Sequence, residues 1–246
     1  MSGERVVVVG DAHLGSANIR DEEAFHELLD AVPSLGDRLL VMGDLFDFWF
    51  EYRAVIPRRP FKTLTKLAVL AEKGVRVEMF GGNHDRWGGT FWGEDLKIPF
   101  HAEGTDLVIA GRTAHVAHGD GLAEQTLGGK LLHWITRSRF TIGAFKALHP
   151  DFGFKLADRL SGGLAEGNKS PEAIDAAAAA QETWARALMD SRPDLGLVVL
   201  AHTHRQRLLE VAPGRFYLNA GQWMVDRAYA VVGPETITPL RWPARP

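Results

Sequence analysis

The chain has 246 residues, enough to bury one sizeable core, and its 46% hydrophobic and 24% charged content is that of an ordinary globular protein. A net charge of −3 gives no global basic field for nucleic acid, and the lack of cysteine excludes disulfides and thiolate metal sites. No run approaches the ~20 apolar residues of a membrane span, and the N-terminal valines are too few for a signal peptide. A cysteine-free chain suits any redox compartment, so the expectation is a cytoplasmic protein able to touch a membrane surface.

In chain order, Val6, Val7, Val8 and Val9 read as a short buried strand running into Gly10-Asp11-Ala12-His13. Residues 21–31 set Phe25, Leu28 and Leu29 at helical spacing. Residues 39–42 form a second apolar strand, followed by Gly43-Asp44-Leu45-Phe46-Asp47. An amphipathic helix over 61–72 is closed by Lys73-Gly74, and the alternating strand 75–80 leads to Gly81-Gly82-Asn83-His84-Asp85. A hairpin is expected around Gly111-Arg112, ending in His118-Gly119-Asp120. From about 122 to 190 the pattern is helical, with Ser170-Pro171-Glu172 opening an Ala-rich scaffolding helix. Strands then return at 195–201, before His202-Thr203-His204, and at 208–211, 216–218 and 229–232. The reading is a single α/β domain over 1–246 with a helical insertion at about 122–190.

Five blocks share one design: an apolar strand delivers Asp, Asn or His at its end. Glycine stands beside the polar residue in four of them, which allows a tight turn and close backbone approach. Residues two apart at a strand end project to one side, so Asp11 with His13, and His202 with His204, can each aim two ligands into one cavity. The Cα atoms of such a pair would lie about 6–7 Å apart, which suits one shared ion or two adjacent ions. Taken singly, a Gly-Asp is a turn and Asn-His-Asp a helix cap. Five such blocks at successive strand ends are not explained as turns. His26, His101, His115, His133 and His149 fall in none of them and read as surface or satisfied polar residues. Trp49, Trp87, Trp92 and Trp223 read as core, with Phe48, Trp49 and Trp87 near enough to the motifs to line a site mouth.

These blocks, with Asn219-Ala220-Gly221 after a late strand, resemble the calcineurin-like metallophosphoesterase superfamily. The resemblance implies a β-sandwich of two mixed sheets flanked by helices, with a dinuclear metal site at the strand ends. It implies that Asp11, His13, Asp44 and His204 hold one metal, and Asp44, Asn83, His118 and His202 the other. His84 would face the phosphate, with Asp85 orienting it. Two divalent ions less the charges of Asp11 and Asp44 leave a net positive site, which attracts phosphate and supplies a nucleophile at neutral pH. Nitrogen and oxygen donors suit Mn²⁺, Fe²⁺ or Zn²⁺, and the resemblance favours Mn²⁺. Asp47 and Asp120, which close two of the blocks, are candidate supporting carboxylates.

The insertion bears on the substrate. Residues 130–169 hold seven basic side chains against three acidic ones, among many apolar residues. A basic amphipathic pair of helices reads as a membrane-surface element, as a groove for an anionic amphiphile, or as packing helices with a solvated face. His118-Gly119-Asp120-Gly121-Leu122, His149-Pro150-Asp151-Phe152-Gly153 and Arg159-Leu160-Ser161 resemble the UDP-2,3-diacylglucosamine pyrophosphatases, lipid A enzymes whose helical lid holds acyl chains. Gly162-Gly163 and Ala123-Glu124-Gln125 depart from that family's pattern. The resemblance implies an amphiphilic nucleotide-sugar substrate, contacted by Asn83, Arg159, Ser161, Asn168 and Lys169. A phosphomonoesterase or phosphodiesterase on a soluble substrate, and a non-catalytic metal-binding scaffold, are the alternatives. A nuclease is disfavoured because no basic track extends outside the insertion.

Overall fold

The computed structural model describes residues 3–16, 18–122, 137–164 and 170–243, without the side chains at 139, 157–158 and 160–164. Eleven strands among them form two mixed sheets. One has the order β11-β10-β1-β2-β3-β4, the other β5-β6-β7-β9-β8. In the first, β1 (Val6–Val9) pairs in parallel with β2 (Arg38–Val41), which pairs in parallel with β3 (Arg76–Phe80). β4 (Phe100–His101) extends that edge. On the other side β10 (Ala228–Val232) and β11 (Ile237–Arg241) run antiparallel. In the second sheet β7 (Leu197–Leu200) lies parallel to β6 (Arg112–Val116) and β9 (Arg215–Asn219), with β5 (Thr105–Ile109) and β8 (Arg207–Ala212) antiparallel at the edges.

Every residue of β1 is buried because its alternate faces meet different layers. Val6 and Val8 face the other sheet, packing with Leu40, Met42, Val116, Leu197 and Val199. Val7 and Val9 face the helices α1 (Ile19–Leu35) and α2 (Phe61–Glu72), with Phe25, Leu28 and Leu67. On the far side of the second sheet, Ala185 and Met189 cover Val198, Leu200 and Tyr217. The order of layers is helix, sheet, sheet, helix.

The sequence reading placed α1 over 21–31, but the helix starts at Ile19 because the Asn18 side chain accepts the Asp21 N–H at 3.1 Å. Two short helices, α3 (Phe91–Glu94) and α7 (Trp223–Asp226), and the strands β4 and β11 were not anticipated. Within the 122–190 interval lie α4 (Arg139–Lys146), α5 (Pro150–Leu164) and α6 (Pro171–Ser191). Phe145 docks α4 on Phe50, Phe48 and Trp87 at ring separations of 4.5, 5.8 and 5.3 Å. Trp49, Trp92 and Trp223 are fully buried, so Trp49 belongs to the core and not to a site mouth.

His26 joins α1 to α2 through a 2.9 Å hydrogen bond between Nε2 and Thr63 Oγ1. Burial, with Lys62 and Lys66 nearby, pushes its pKa down to about 4, against the opposing pull of Asp30 and Glu23. The folded state therefore disfavours the proton. Stability owed to the neutral ring is complete above pH ~6.5 and is lost as pH falls from there towards 4. Because an open cleft of about 370 Å³ lies beside the ring, screening limits the effect to no more than about 2 kcal/mol. His26→Gln should unfold in urea with less pH dependence between pH 7 and 4.5 than the parent. Equal dependence in the two proteins would contradict the assignment.

Candidate active site

The turns after β1, β2, β3, β6 and β7 meet at one end of the sandwich and are tied to one another by backbone hydrogen bonds. Asp11 N donates to Gly43 O at 3.1 Å, and Ala12 N and His13 N donate to Asp44 O at 2.9 Å. Trp49 N reaches His84 O at 3.1 Å, and Trp223 N reaches Gly10 O at 3.1 Å. Within these turns Asp11, His13, Asp44, His202 and His204 all have left-handed backbone, with φ of 50, 44, 50, 71 and 58°. A non-glycine residue held there costs about 1–3 kcal/mol, and clusters of such residues mark sites whose geometry is over-determined by the surrounding structure. The expected strand-like alternation of Asp11 with His13 and of His202 with His204 is thus replaced by left-handed turns. Strand β1 already ends at Val9 and β7 at Leu200.

The turns bring together Asp11, His13 and His204; His13, Asp44 and His84; and Asp44, His118 and His202. In each trio the candidate ligand atoms lie within 4.8 Å of one another. Asp11 is divided: Oδ2 accepts the His202 N–H at 3.1 Å, and Oδ1 stands 3.5 Å from His204 Nε2. Asp44 is divided likewise. Its Oδ1 accepts the His84 N–H at 2.9 Å, while Oδ2 lies 3.3 Å from His118 Nε2 and 3.9 Å from His13 Nε2. Close approach requires glycine at position 82, where a Cβ would lie 2.1 Å from Asp44 Oδ1.

Two imidazoles have their tautomers set by carbonyls, which can only accept. His118 Nδ1–H donates to Met42 O at 2.7 Å and His84 Nδ1–H to Asp47 O at 2.7 Å. His118 thereby turns Nε2 towards Asp44. Burial opposes charge on Asp44 and His118, yet their mutual attraction overcomes it. Asp44 is held well below the usual carboxylate range and His118 is raised well above the usual imidazole value. Burial lowers the pKa of His13.

Asp85 was expected to orient His84. Its carboxylate instead accepts the N–H groups of Gly82 (2.8 Å), Asp44 (3.1 Å) and Leu45 (2.7 Å), so it fixes the β2 and β3 turns against each other. Burial, then the charge of Asp44, pushes its pKa up to about 6. Asp47 holds the His84 ring through its main-chain carbonyl. Asn83 is exposed in the same turn.

Asp120 receives Arg86 at 2.9 Å and Arg137 at 3.0 Å, and both arginines also bond Glu103. The turn bearing His118 is thereby clasped to the approach to α4. Sequence reasoning missed Arg86 and Arg137, although Arg86 directly follows the Asn83-His84-Asp85 block. Arg159 is exposed on α5, which also carries Ser161; the Ser161 side chain, Asn168, Lys169 and His133 lie outside the described residues. The remaining histidines are paired locally, His101 with Glu78, His115 with Asp106 and His149 with Asp151.

The cluster fits a divalent cation. Asp11 Oδ1 and His13 Nε2 are buried and take no hydrogen bond, and the equally buried Asp44 Oδ2 and His118 Nε2 have only each other, at 3.3 Å, an arrangement costly to maintain unless another group satisfies them. Their nitrogen and oxygen chemistry is that of Mn²⁺, Fe²⁺ or Zn²⁺ ligands. No described helix is long and apolar enough to cross a membrane.

The chain is similar to several known proteins. A relative named UDP-2,3-diacylglucosamine hydrolase from Porphyromonas gingivalis is 27% identical, over 92% of this chain and 93% of its own. One of the same name from Ralstonia nicotianae is 23% identical, over 91% of this chain and 85% of its own. Among solved structures, Vacuolar Protein Sorting 29 from Cryptosporidium parvum aligns over 97% of this chain and 90% of its own, at 16% identity and a TM-score of 0.47. The family model described as Calcineurin-like phosphoesterase matches residues 4–206, a span that includes every left-handed turn of the cluster. The chain belongs to the calcineurin-like phosphoesterase family, and it is a phosphoesterase of the hydrolase class.

Proposed function

We propose that the protein is a dinuclear metal-dependent phosphohydrolase. It cleaves the pyrophosphate of UDP-2,3-diacylglucosamine with one water, giving UMP and 2,3-diacylglucosamine 1-phosphate, a step of lipid A assembly. The observation that carries the metal part is the set of four buried ligand atoms gathered around Asp44, which no hydrogen bond from outside the cluster satisfies. Asp11, His13, Asp44 and His204 are assigned to one cation, and Asp44, Asn83, His118 and His202 to the other. Mn²⁺ is the ion proposed. When bound, the cations supply positive charge for the phosphate oxygens and a nucleophile at neutral pH.

The protein's own groups do the rest. His84 is held through Nδ1 by Asp47 O, and its Nε2 is assigned to meeting a phosphate oxygen or protonating the leaving group. The left-handed turns and the Asp85 bridge keep the acceptors from relaxing towards one another, and so hold the site pre-organised. Arg159, Ser161, Asn168 and Lys169 are assigned to the polar part of the substrate, and the insertion ahead of α6, with α4 and α5, to holding its acyl chains over the site.

Two features support the amphiphilic substrate. A cavity of about 310 Å³ lies beside Asp47, where Phe48, Val55, Ile56, Pro57 and Phe154 offer an apolar wall suited to hydrocarbon and Arg58, Arg59 and Asp151 add charged groups to the lining. The relatives' names supply the headgroup. Phe140 and Phe152 are 91% and 55% exposed, on the helices that also carry the exposed Lys146 and Lys155, which suits a cytoplasmic enzyme that touches an anionic membrane surface. Incubation of Mn²⁺-loaded protein with UDP-2,3-diacylglucosamine should release UMP. Cleavage of simple phosphate esters with no UMP would replace this substrate by a soluble one.

A further inference from the structure

The Ala-rich helix α6 carries one residue that its scaffolding role does not explain. Gln181 lies on the buried stripe Ala178, Gln181, Ala185, Met189, a spacing of three, four and four residues that makes an amide conspicuous among small and apolar side chains. It is 0% exposed. Its Nε2 donates to Gly119 O at 3.2 Å and to Ala201 O at 3.1 Å. Both acceptors are carbonyls, so the orientation of the amide is fixed. Its Oε1 accepts from Thr203 Oγ1 and Tyr217 OH at 3.3 Å, and from Asn219 Nδ2 at 3.4 Å.

Gly119 follows His118, and Ala201 precedes His202. These are the two imidazoles of a single trio, the one completed by Asp44. One side-chain amide thus links the main chains that carry both rings, whose centroids are 5.2 Å apart. Gly119, at φ +101°, makes room for it: a Cβ there would lie 2.5 Å from Gln181 Nε2. Each carbonyl has a second donor, Leu122 N for Gly119 O and Thr203 N for Ala201 O. Removing the amide leaves both turns hydrogen-bonded and still joined by the Ala201 N–H to His118 O bond at 2.8 Å, but takes away the bridge between Gly119 O and Ala201 O that lies beside it.

We infer that Gln181 is a positioning residue that sets the separation of His118 and His202, and so governs affinity for the cation assigned to the Asp44–His118–His202 trio. Through it, α6 is coupled to that half of the site. The inference rests on the dinuclear reading above.

Gln181→Met keeps length and volume but removes the amide, and Met189→Ala loosens the same helix without touching the turns. The readouts are Mn²⁺ binding isotherms, thermal unfolding of the metal-free proteins, and the magnetic coupling between neighbouring Mn²⁺ ions in electron paramagnetic resonance. Parent and Met189→Ala should each bind two equivalents with a coupled signal, Met189→Ala at a lower Tm. In Gln181→Met the affinity for one equivalent should fall about 10–100-fold, with the coupled signal replaced by that of isolated ions. Two equivalents bound at parental affinity in Gln181→Met would overturn the inference, as would an equal loss in Met189→Ala. If the parent itself binds one equivalent, the dinuclear reading fails separately. The role of Gln181 is then judged on that ion: a fall confined to Gln181→Met supports it, and unchanged affinity refutes it.

Discussion

Asp44→Asn is expected to lower phosphohydrolase activity by on the order of 10³-fold or more, with metal uptake lost alongside. The physical reason is that Asp44 does three things with one fully buried carboxylate. Oδ1 secures the main chain of His84, and Oδ2 faces both His13 and His118. An asparagine offers one oxygen and one N–H₂ group. Either the His84 N–H meets another donor, or the amide N–H₂ is presented where a cation is to be held. Charge compounds the loss. In the metal-free chain Asp44 and His118 stabilise each other's ionised forms, so the amide leaves His118 without its main counter-charge. Divalent metal should raise the Tm of the parent, as any ligand specific to the folded state does, and should fail to raise that of Asp44→Asn. Retention of both activity and the metal-induced shift would remove Asp44 from the centre of the site.

His84→Ala should separate chemistry from metal retention. Turnover is expected to fall about 10²–10⁴-fold, the range for loss of a positioned proton donor or charge stabiliser, while metal content stays near that of the parent. His84 lies close to His13, with ring centroids 4.7 Å apart, and belongs to a trio with His13 and Asp44. Its link to Asp47 is made by Nδ1, and the main-chain links to Asp44 and Trp49 survive the substitution, so the turn should persist. Full activity in the variant would show that His84 takes no part in the reaction. Metal loss equal to that of Asp44→Asn would make it a ligand instead.

What the sequence made legible follows from where the physics is local. The bounds of β1 are readable because four consecutive valines meet apolar layers on both faces. The α2 bounds are readable because the helical stripe stops at Lys73-Gly74. β4 has only two residues, and β11 contains Pro239 at a partly exposed edge, so neither gives a periodic signal. At the site, glycine beside aspartate or histidine was visible. The left-handed backbone of His202 and His204 was not; the His202 N–H, for one, is bound by Asp11, 191 positions away. Asp85 illustrates the same limit: adjacency suggested His84 as its partner, whereas the free N–H groups of the neighbouring turns claim both oxygens. Arg86, Arg137 and Gln181 act through partners 16 to 62 positions away, for which no local pattern exists.

The most direct measurement is the anomalous scattering of crystals soaked in Mn²⁺, together with elemental analysis of the same protein. The account requires two metal peaks, one beside Asp11, His13 and His204, the other beside His118 and His202, with Asp44 between them. A single peak would contradict the shared carboxylate, and none at manganese saturation would contradict the metal site altogether.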